Sequence, residues 1–235
     1  TENEPEVALE EELKELDKVG GWEENATSQQ PEIAKSAETA YDFPITMNKQ
    51  VEFYINLFQN KQRGYYERWL ARSTKYLPSI KANLKEAGLP EDLAYLAMIE
   101  SGYNPTAISK AQAVGLWQFI AGTGKNYGLR IDSWVDERRE PEKATLAAIK
   151  YLTFLHDEFD SWYLAVAAYN AGEGKIGRGV EKYKTNDFWQ LASNDYLALE
   201  TKRYVPKLIA AIIIAKNPEQ YGFTNISYQD PVQYD

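Results

Sequence analysis

Cysteine is absent from this chain of 235 residues, and histidine occurs once, as His156. Without cysteine, the chain can form neither a disulfide nor a thiolate metal site. One histidine excludes the usual His-cluster zinc sites and any Ser-His or Cys-His pair that does not include it. His156 has charged neighbours near the end of a helical pattern, which predicts an ordinary surface histidine. We therefore expect no metal centre and no cofactor.

Basic residues are scarce at the start of the chain. Residues 1–46 carry a net charge of -10, whereas the rest carries +1. The nearly neutral remainder gives no indication of a nucleic-acid partner. We interpret residues 1–45 as an acidic extension with one amphipathic helix, formed by Leu9, Leu13 and Leu16 and ended by Gly20 and Gly21. This extension is expected to be a tether or an arm laid on the body, unless its charge serves only solvation.

Long apolar runs and alternating strand patterns are also missing. The eight apolar residues Leu208–Ala215 are too few to cross a membrane and predict a core helix. The chain begins without methionine or a signal peptide, so we expect a processed chain whose targeting segment has been removed. No convincing period-two pattern occurs, which predicts an all-α fold with at most a small hairpin. We place the folded body at 46–222, with its core motifs at 89–216, and a linker at 223–235.

Proline, glycine and N-cap residues predict helix ends within this body. Pro78 is expected to open a short helix that ends at Gly88. Asp160 and Ser161 are N-cap candidates for a helix over Trp162–Ala171, which Gly172 and Gly174 are expected to end.

One carboxylate stands out within the helical pattern, that of Glu100. The preceding residues Leu93–Ile99 carry no charge, which is typical of a buried helix, and Gly102 is expected to end that helix. Burial and the negative end of the helix dipole would both raise the pKa of Glu100, as a general acid near neutral pH requires. A structural glutamate paired with an arginine, or capping a neighbouring helix, fits the spacing equally well.

Two nucleotide-binding patterns are false leads. Residues 172–177 match the dinucleotide motif G-x-G-x-x-G, but a helix precedes them where that motif needs a strand. Residues 122–125 contain a P-loop-like Gly-Lys pair, but Phe119 occupies the position of the first glycine and Asn126 replaces the Ser or Thr.

Four short stretches occur in an informative order: Glu100-Ser-Gly-Tyr-Asn-Pro105, Gly115-Leu-Trp-Gln-Phe119, Ala168-Tyr-Asn-Ala-Gly172 and Glu200-Thr-Lys-Arg-Tyr-Val205. In order and approximate spacing they resemble the soluble lytic transglycosylase catalytic domain, over roughly residues 50–222. That family shares a lysozyme-like fold with goose-type lysozymes. The resemblance therefore implies a lysozyme-like helical domain that follows the acidic extension.

The resemblance implies a reaction in which Glu100 is the only catalytic carboxylate. As an acid it would protonate the glycosidic oxygen between N-acetylmuramic acid and N-acetylglucosamine. As a base it would then take the proton of the muramoyl 6-hydroxyl, which attacks its own anomeric carbon to give a 1,6-anhydro end. Substrate-assisted glycosidases are a known exception to the two-carboxylate rule.

Supporting roles follow by position in the matched motifs. Ser109 corresponds to the serine thought to orient the muramoyl acetamido group, and Gln118 to the glutamine that binds sugar hydroxyls. Tyr169 and Asn170 match the Ala-Tyr-Asn motif, and the phenol is expected near Glu100 or the acetamido group. Trp117 replaces the common methionine, and its ring would either stack on a sugar or narrow that subsite. Ser101 is expected to steady the end of the helix.

The last motif adds two residues, Glu200 and Tyr204. Glu200 corresponds to a second carboxylate that holds conformation, and Tyr204 is expected to line the cleft beside it. An ion pair of Glu200 with Arg203 or Arg178 is the structural alternative. The corresponding structural alternative is that Gln118, Tyr169 and Asn170 only satisfy buried backbone groups at helix ends.

The resemblance also implies partners and a location. The substrate would be peptidoglycan strands in the bacterial periplasm, with association to the outer membrane through a lipid anchor outside this sequence. LysM repeats would follow the C-terminus. A hydrolytic muramidase and a non-catalytic peptidoglycan-binding module are the competing functions. A muramidase of the goose type would use further acids to hold water, and Thr106–Gly128 contains no acid.

Overall fold

A computed structural model describes residues 6–27 and 40–231 of the chain. Over these residues the secondary structure is helical, with three isolated antiparallel bridges and no strand. The helices are α1 (Glu6–Val19), α2 (Trp22–Thr27), α3 (Lys49–Gln59), α4 (Arg63–Glu86), α5 (Leu96–Ser101), α6 (Ala121–Asn126), α7 (Pro141–Phe159), α8 (Trp162–Ala171), α9 (Glu173–Tyr183), α10 (Phe188–Ala192), α11 (Leu199–Lys202) and α12 (Tyr204–Lys216). Short 3-10 helices span Glu91–Tyr95, Glu137–Arg139 and Pro218–Tyr221.

The chain divides into two compact units. Among the described residues, the first unit contains 57–151 and 211–231, and the second contains 6–27, 40–56 and 152–210. No helix among the described residues is long and apolar enough to cross a membrane.

The first unit is built on α4, whose aromatic side chains form a buried cluster. The ring of Tyr66 lies 4.8 Å from that of Phe58, 5.8 Å from that of Trp69 and 5.2 Å from that of Phe223. The 3-10 helix Glu91–Tyr95 packs on α4. Burying several aromatic rings in one cluster supplies much of the apolar stabilisation of a domain.

Pro78 lies inside α4, so the prediction that it opens a separate short helix is wrong. A proline within a helix removes one backbone hydrogen bond and costs about 3 kcal/mol. Tyr76 and Ile80, on either side of it, are buried, and this packing keeps the helix continuous. The helix ends at Glu86, two residues before Gly88, close to where the end was predicted.

The second unit includes the described part of the acidic N-terminal segment. Helix α1 ends where predicted, before Gly20 and Gly21, and it packs on α11. Leu16 is fully buried, so this part of the segment packs within the second unit. The boundary at residue 45 between extension and catalytic domain stays a prediction.

The middle of the second unit is formed by α8, which packs on α9, α10 and α11. Ser161 caps the start of α8, as predicted, and accepts a hydrogen bond from the backbone N–H of Leu164. Gly172 ends α8 with φ +86°, and Gly174 and Gly177 lie inside α9. A helix therefore precedes these glycines, as predicted, where a dinucleotide motif needs a strand.

Candidate active site

Glu100 lies in the last turn of α5, and its side chain is half-buried. The core around this turn was predicted correctly, since all residues from Leu93 to Met98 are buried. Gly102 ends the helix in a left-handed conformation (φ +59°), and its N–H donates to the Met98 carbonyl at 2.8 Å. A Cβ at Gly102 would lie 2.2 Å from Cδ1 of Trp69, so α4 fixes the backbone immediately after Glu100.

Ser101 connects this helix end to the Gly-Leu-Trp-Gln motif. Its hydroxyl donates to the Leu116 carbonyl at 2.8 Å and accepts from the backbone N–H of Asn104 at 3.2 Å. Both contacts are those of a residue that steadies the helix end, as predicted.

Ser109 lies in a tight turn nine residues after Glu100. Its backbone N–H donates to the Ala113 carbonyl at 2.9 Å, and its Oγ accepts from the Ala113 N–H at 3.0 Å. The side chain is half-buried. Because a hydroxyl also has one hydrogen to donate, Ser109 can still donate to an acceptor on a ligand, such as an amide carbonyl.

Gln118 has positive φ (+48°), a conformation that is uncommon away from glycine. Its amide nitrogen donates to the Gly115 carbonyl at 2.8 Å, which holds the half-buried side chain against its own motif. This contact is the structural role considered as an alternative. It uses the donor end of the amide and leaves the oxygen to accept a hydrogen bond, for example from a sugar hydroxyl.

The Trp117 side chain is fully buried, so the prediction that it stacks on a sugar or narrows a subsite is wrong. Its indole N–H donates to Thr145 Oγ1 on α7 at 3.0 Å. The ring fills the core of the first unit, and α7 satisfies its only polar group.

Arg138 holds the Gly115–Phe119 motif in place, a role that the sequence did not predict. The buried guanidinium donates to the carbonyls of Gln112 and Phe119, each at 3.0 Å, and pairs with Asp136 at 2.8 Å. A Cβ at Gly115 (φ +85°) would lie 1.8 Å from the carbonyl oxygen of Arg138. No local pattern identifies this residue, because its backbone partners lie 19 and 26 positions away.

Gly115→Ala is expected to lower the free energy of unfolding by about 3 kcal/mol or more, because the methyl group would overlap backbone at a position with positive φ. Chemical denaturation measures the effect. Gly122→Ala is the control, because a Cβ there meets nothing within 4 Å. Equal stability of the two variants would contradict the packing described for Gly115.

In the second unit, Tyr169 and Asn170 occupy the last turn of α8. The N–H of Gly172 donates to the Ala168 carbonyl at 2.8 Å and closes this helix end. Tyr169 is half-buried and Asn170 is exposed.

The last motif lies beside this helix, because α11 packs on α8. Glu200 on α11 is exposed, and Tyr204 at the start of α12 is buried. Arg203 pairs with Glu12 of the N-terminal arm. Among the described residues, neither Arg203 nor Arg178 forms an ion pair with Glu200, so the structural alternative for Glu200 is not found. The first unit thus contains Glu100, Ser109 and Gln118, and the second contains Tyr169, Asn170, Glu200 and Tyr204.

Residues 78–192 match the profile of the family described as Transglycosylase SLT domain. This chain carries an SLT domain. The match spans five of the seven candidate site residues and leaves out Glu200 and Tyr204. The resemblance drawn from the four motifs is therefore confirmed.

Several named proteins are similar to this chain in sequence. Membrane-bound lytic murein transglycosylase D of Escherichia coli (strain K12) is 38% identical over 167 residues, which are 69% of this chain and 36% of that protein. Peptidoglycan transglycosylase gp16 of Escherichia phage T7 is 38% identical over 129 residues, 54% of this chain and 9% of that protein. The chain thus spans about a third of the length of the first relative and a smaller share of the second.

The fold around the SLT domain also has a counterpart in a solved structure. The 70 kDa soluble lytic transglycosylase SLT70 from Escherichia coli aligns with a TM-score of 0.53 at 15% identity, over 91% of this chain and 45% of that one. At this identity the likeness concerns the fold alone. It confirms the predicted all-α, lysozyme-like architecture.

Proposed function

We propose that this chain is a peptidoglycan lytic transglycosylase that cleaves the bond between N-acetylmuramic acid and N-acetylglucosamine. The observation that carries the proposal is Glu100 at the capped end of α5, followed in the chain by the turns that contain Ser109 and Gln118, inside an SLT domain. The names of the two relatives, a murein and a peptidoglycan transglycosylase, support the same substrate.

In this proposal Glu100 first donates its proton to the glycosidic oxygen as the bond from that oxygen to the anomeric carbon breaks. The acetamido group of the same muramoyl ring stabilises the positive charge on that carbon. The ring's 6-hydroxyl oxygen then bonds to the anomeric carbon and gives its proton to Glu100. The carboxyl group is restored, and no water is consumed.

The other residues position the sugar. Ser109 donates its hydroxyl hydrogen to the acetamido oxygen, and the Gln118 amide oxygen accepts from a sugar hydroxyl. The Tyr169 phenol acts near Glu100 or the acetamido group, and Asn170 contributes to substrate binding. Glu200 holds the conformation of its segment, and Tyr204 lines the cleft beside it. The expected location is the periplasm, with outer-membrane association through a lipid anchor and LysM repeats outside this sequence. The name of the first relative, which calls it membrane-bound, supports the location.

Incubation with purified sacculi, followed by mass analysis of the released muropeptides, tests the proposal. A lytic transglycosylase releases products that end in 1,6-anhydro-N-acetylmuramic acid, one water lighter than the hydrolytic products. Hydrolytic products would instead identify a muramidase. Binding to sacculi without any release would identify a non-catalytic module, and either result would reject the proposal.

A further inference from the structure

A cavity of about 530 Å³ opens in the first unit beside the segment that joins Glu100 to Ser109. Its walls come from the middle of α4, from residues 103–108 and from Gln229. Gln229 is held there because its backbone N–H donates to the Ala71 carbonyl at 2.8 Å and its carbonyl accepts from the Thr74 hydroxyl. The cavity is therefore part of the packed unit.

The charged side chains that line this cavity are all positive. Arg72 and Lys75 are its only charged lining residues, and no carboxylate of the described chain lines it. Lys75 lies 5.6 Å from the centre of the Tyr76 ring, and no carboxylate among the described residues forms an ion pair with it. A cavity whose charged lining residues are all cationic attracts an anionic ligand.

Neutral donors and apolar surface accompany the two cations. Burial raises the pKa of Tyr76, although Arg72 opposes the shift, so its phenol stays protonated and can donate a hydrogen bond. Pro105, Ala107 and the exposed Ile108 add apolar surface. A lining of this kind suits a peptide that carries carboxylates better than it suits a bare sugar.

The cavity lies next to Ser109 in the chain, and this position indicates which peptide the cavity would bind. In a muramoyl ring the acetamido group is on C2, and the peptide is attached through the lactyl ether on C3, the adjacent carbon. If Ser109 holds the acetamido group, the peptide leaves the ring beside this turn. Ile108, the residue before Ser109, lines the cavity, and a peptide extends by about 3.5 Å per residue. The first few peptide residues can therefore reach the cavity.

We propose that this cavity binds a carboxylate of the stem peptide carried by the muramoyl ring at Ser109. The inference rests on the proposed function, because it takes the position of that ring from it. It goes beyond that function by making the enzyme prefer strands that still carry their peptides.

A comparison of peptide-bearing glycan strands with strands freed of peptide by an amidase tests this preference. For Lys75→Gln, the ratio of kcat/KM on peptide-bearing strands to kcat/KM on peptide-free strands is expected to fall about fivefold. Lys75→Arg should restore the ratio. Lys85→Gln, an exposed position on the same helix outside the cavity, should keep the wild-type ratio. An unchanged ratio for Lys75→Gln, or a wild type without any preference, would overturn the proposal.

A titration separates this proposal from the catalytic one. Free stem tetrapeptide is added to the Glu100→Gln protein, and the backbone amide NMR signals of Tyr76, Thr106 and Ile108 are followed. These signals are expected to shift with the peptide, and to shift less with its fully amidated form or with the added Lys75→Gln substitution. Equal shifts with acetate would show a general anion site and reject the stem peptide. If the wild type released no anhydro-product from either kind of strand, the proposed function would be rejected, whatever this titration shows.

Discussion

Glu100→Gln is expected to lower the rate of anhydro-muropeptide release by about 10³-fold or more. The amide is nearly isosteric with the carboxyl group but cannot give up and take back a proton, and general acid–base catalysis contributes about 10²–10⁴ per group. In the proposed reaction one group performs both proton transfers, so its loss affects both steps. Release from purified sacculi, measured by mass-resolved chromatography, gives the rate.

Binding separates a chemical effect from a structural one in this variant. Since Gly102 and Trp69 fix the end of α5 through the backbone, Glu100→Gln should retain its affinity for sacculi and its thermal stability. Glu86→Gln, which changes an exposed carboxylate at the end of α4, should release product at the wild-type rate. Release by Glu100→Gln at near wild-type rate would reject the assignment of Glu100. The predicted rise in the pKa of Glu100 stays a prediction, which a pH–rate profile of the wild type addresses.

Helix boundaries were predictable where a neighbouring residue determines them. Gly20 and Gly102 adopt the positive φ that ends a helix, and Ser161 accepts the capping hydrogen bond, so sequence alone located these ends. The prediction for Pro78 was wrong because residues close to it in the sequence do not alone determine whether the helix continues. The effect of Pro78 depends on the burial of residues on both sides of it, and burial depends on the rest of the unit.

In the candidate site, too, features set by neighbouring residues were predictable, and features set by residues distant in the sequence were not. Glu100, Ser109 and Gln118 were located by motif, and the turn that holds Ser109 is local. The N–H of the buried Trp117 is satisfied by Thr145, which lies 28 residues further along the chain. Arg138 supports the motif through backbone carbonyls, which any residue type supplies, so no residue pattern indicates the contact.

Glu12 is the least predictable of these residues, because it lies in a segment whose charge suggested solvation. The structure buries it in the second unit, where it accepts hydrogen bonds from Arg203 and from the Tyr54 hydroxyl, the latter at 2.8 Å. The ammonium group of Lys207, itself buried, lies 3.7 Å from its other oxygen. The Arg203 contact joins residues 191 positions apart. Glu12 thus neutralises two cationic side chains, those of Arg203 and Lys207, on either side of Tyr204 in the sequence.

Glu12→Gln is therefore expected to lower the free energy of unfolding by about 3–5 kcal/mol, the cost of removing one partner from a buried ion pair. Lys207 would then be buried without its carboxylate, while the volume of the side chain stays almost the same. Urea unfolding at pH 7 measures the difference. Glu10→Gln is the matched control, since it removes an exposed carboxylate from the same helix and should change stability by less than about 0.5 kcal/mol.

The pH dependence of this difference identifies its electrostatic cause. Burial alone would raise the pKa of Glu12, but Lys207 and Arg203 outweigh it and lower that pKa from its usual 4.5 to about 2. Because the folded state holds the proton less tightly than the unfolded chain, the stabilisation from Glu12 is complete above pH 4.5 and is lost as the pH falls towards 2. The stability gap between wild type and Glu12→Gln should therefore be constant from pH 7 to about 5 and should narrow below pH 4.5. A gap that stays constant down to pH 3 would assign the loss to packing and not to the charge of Glu12.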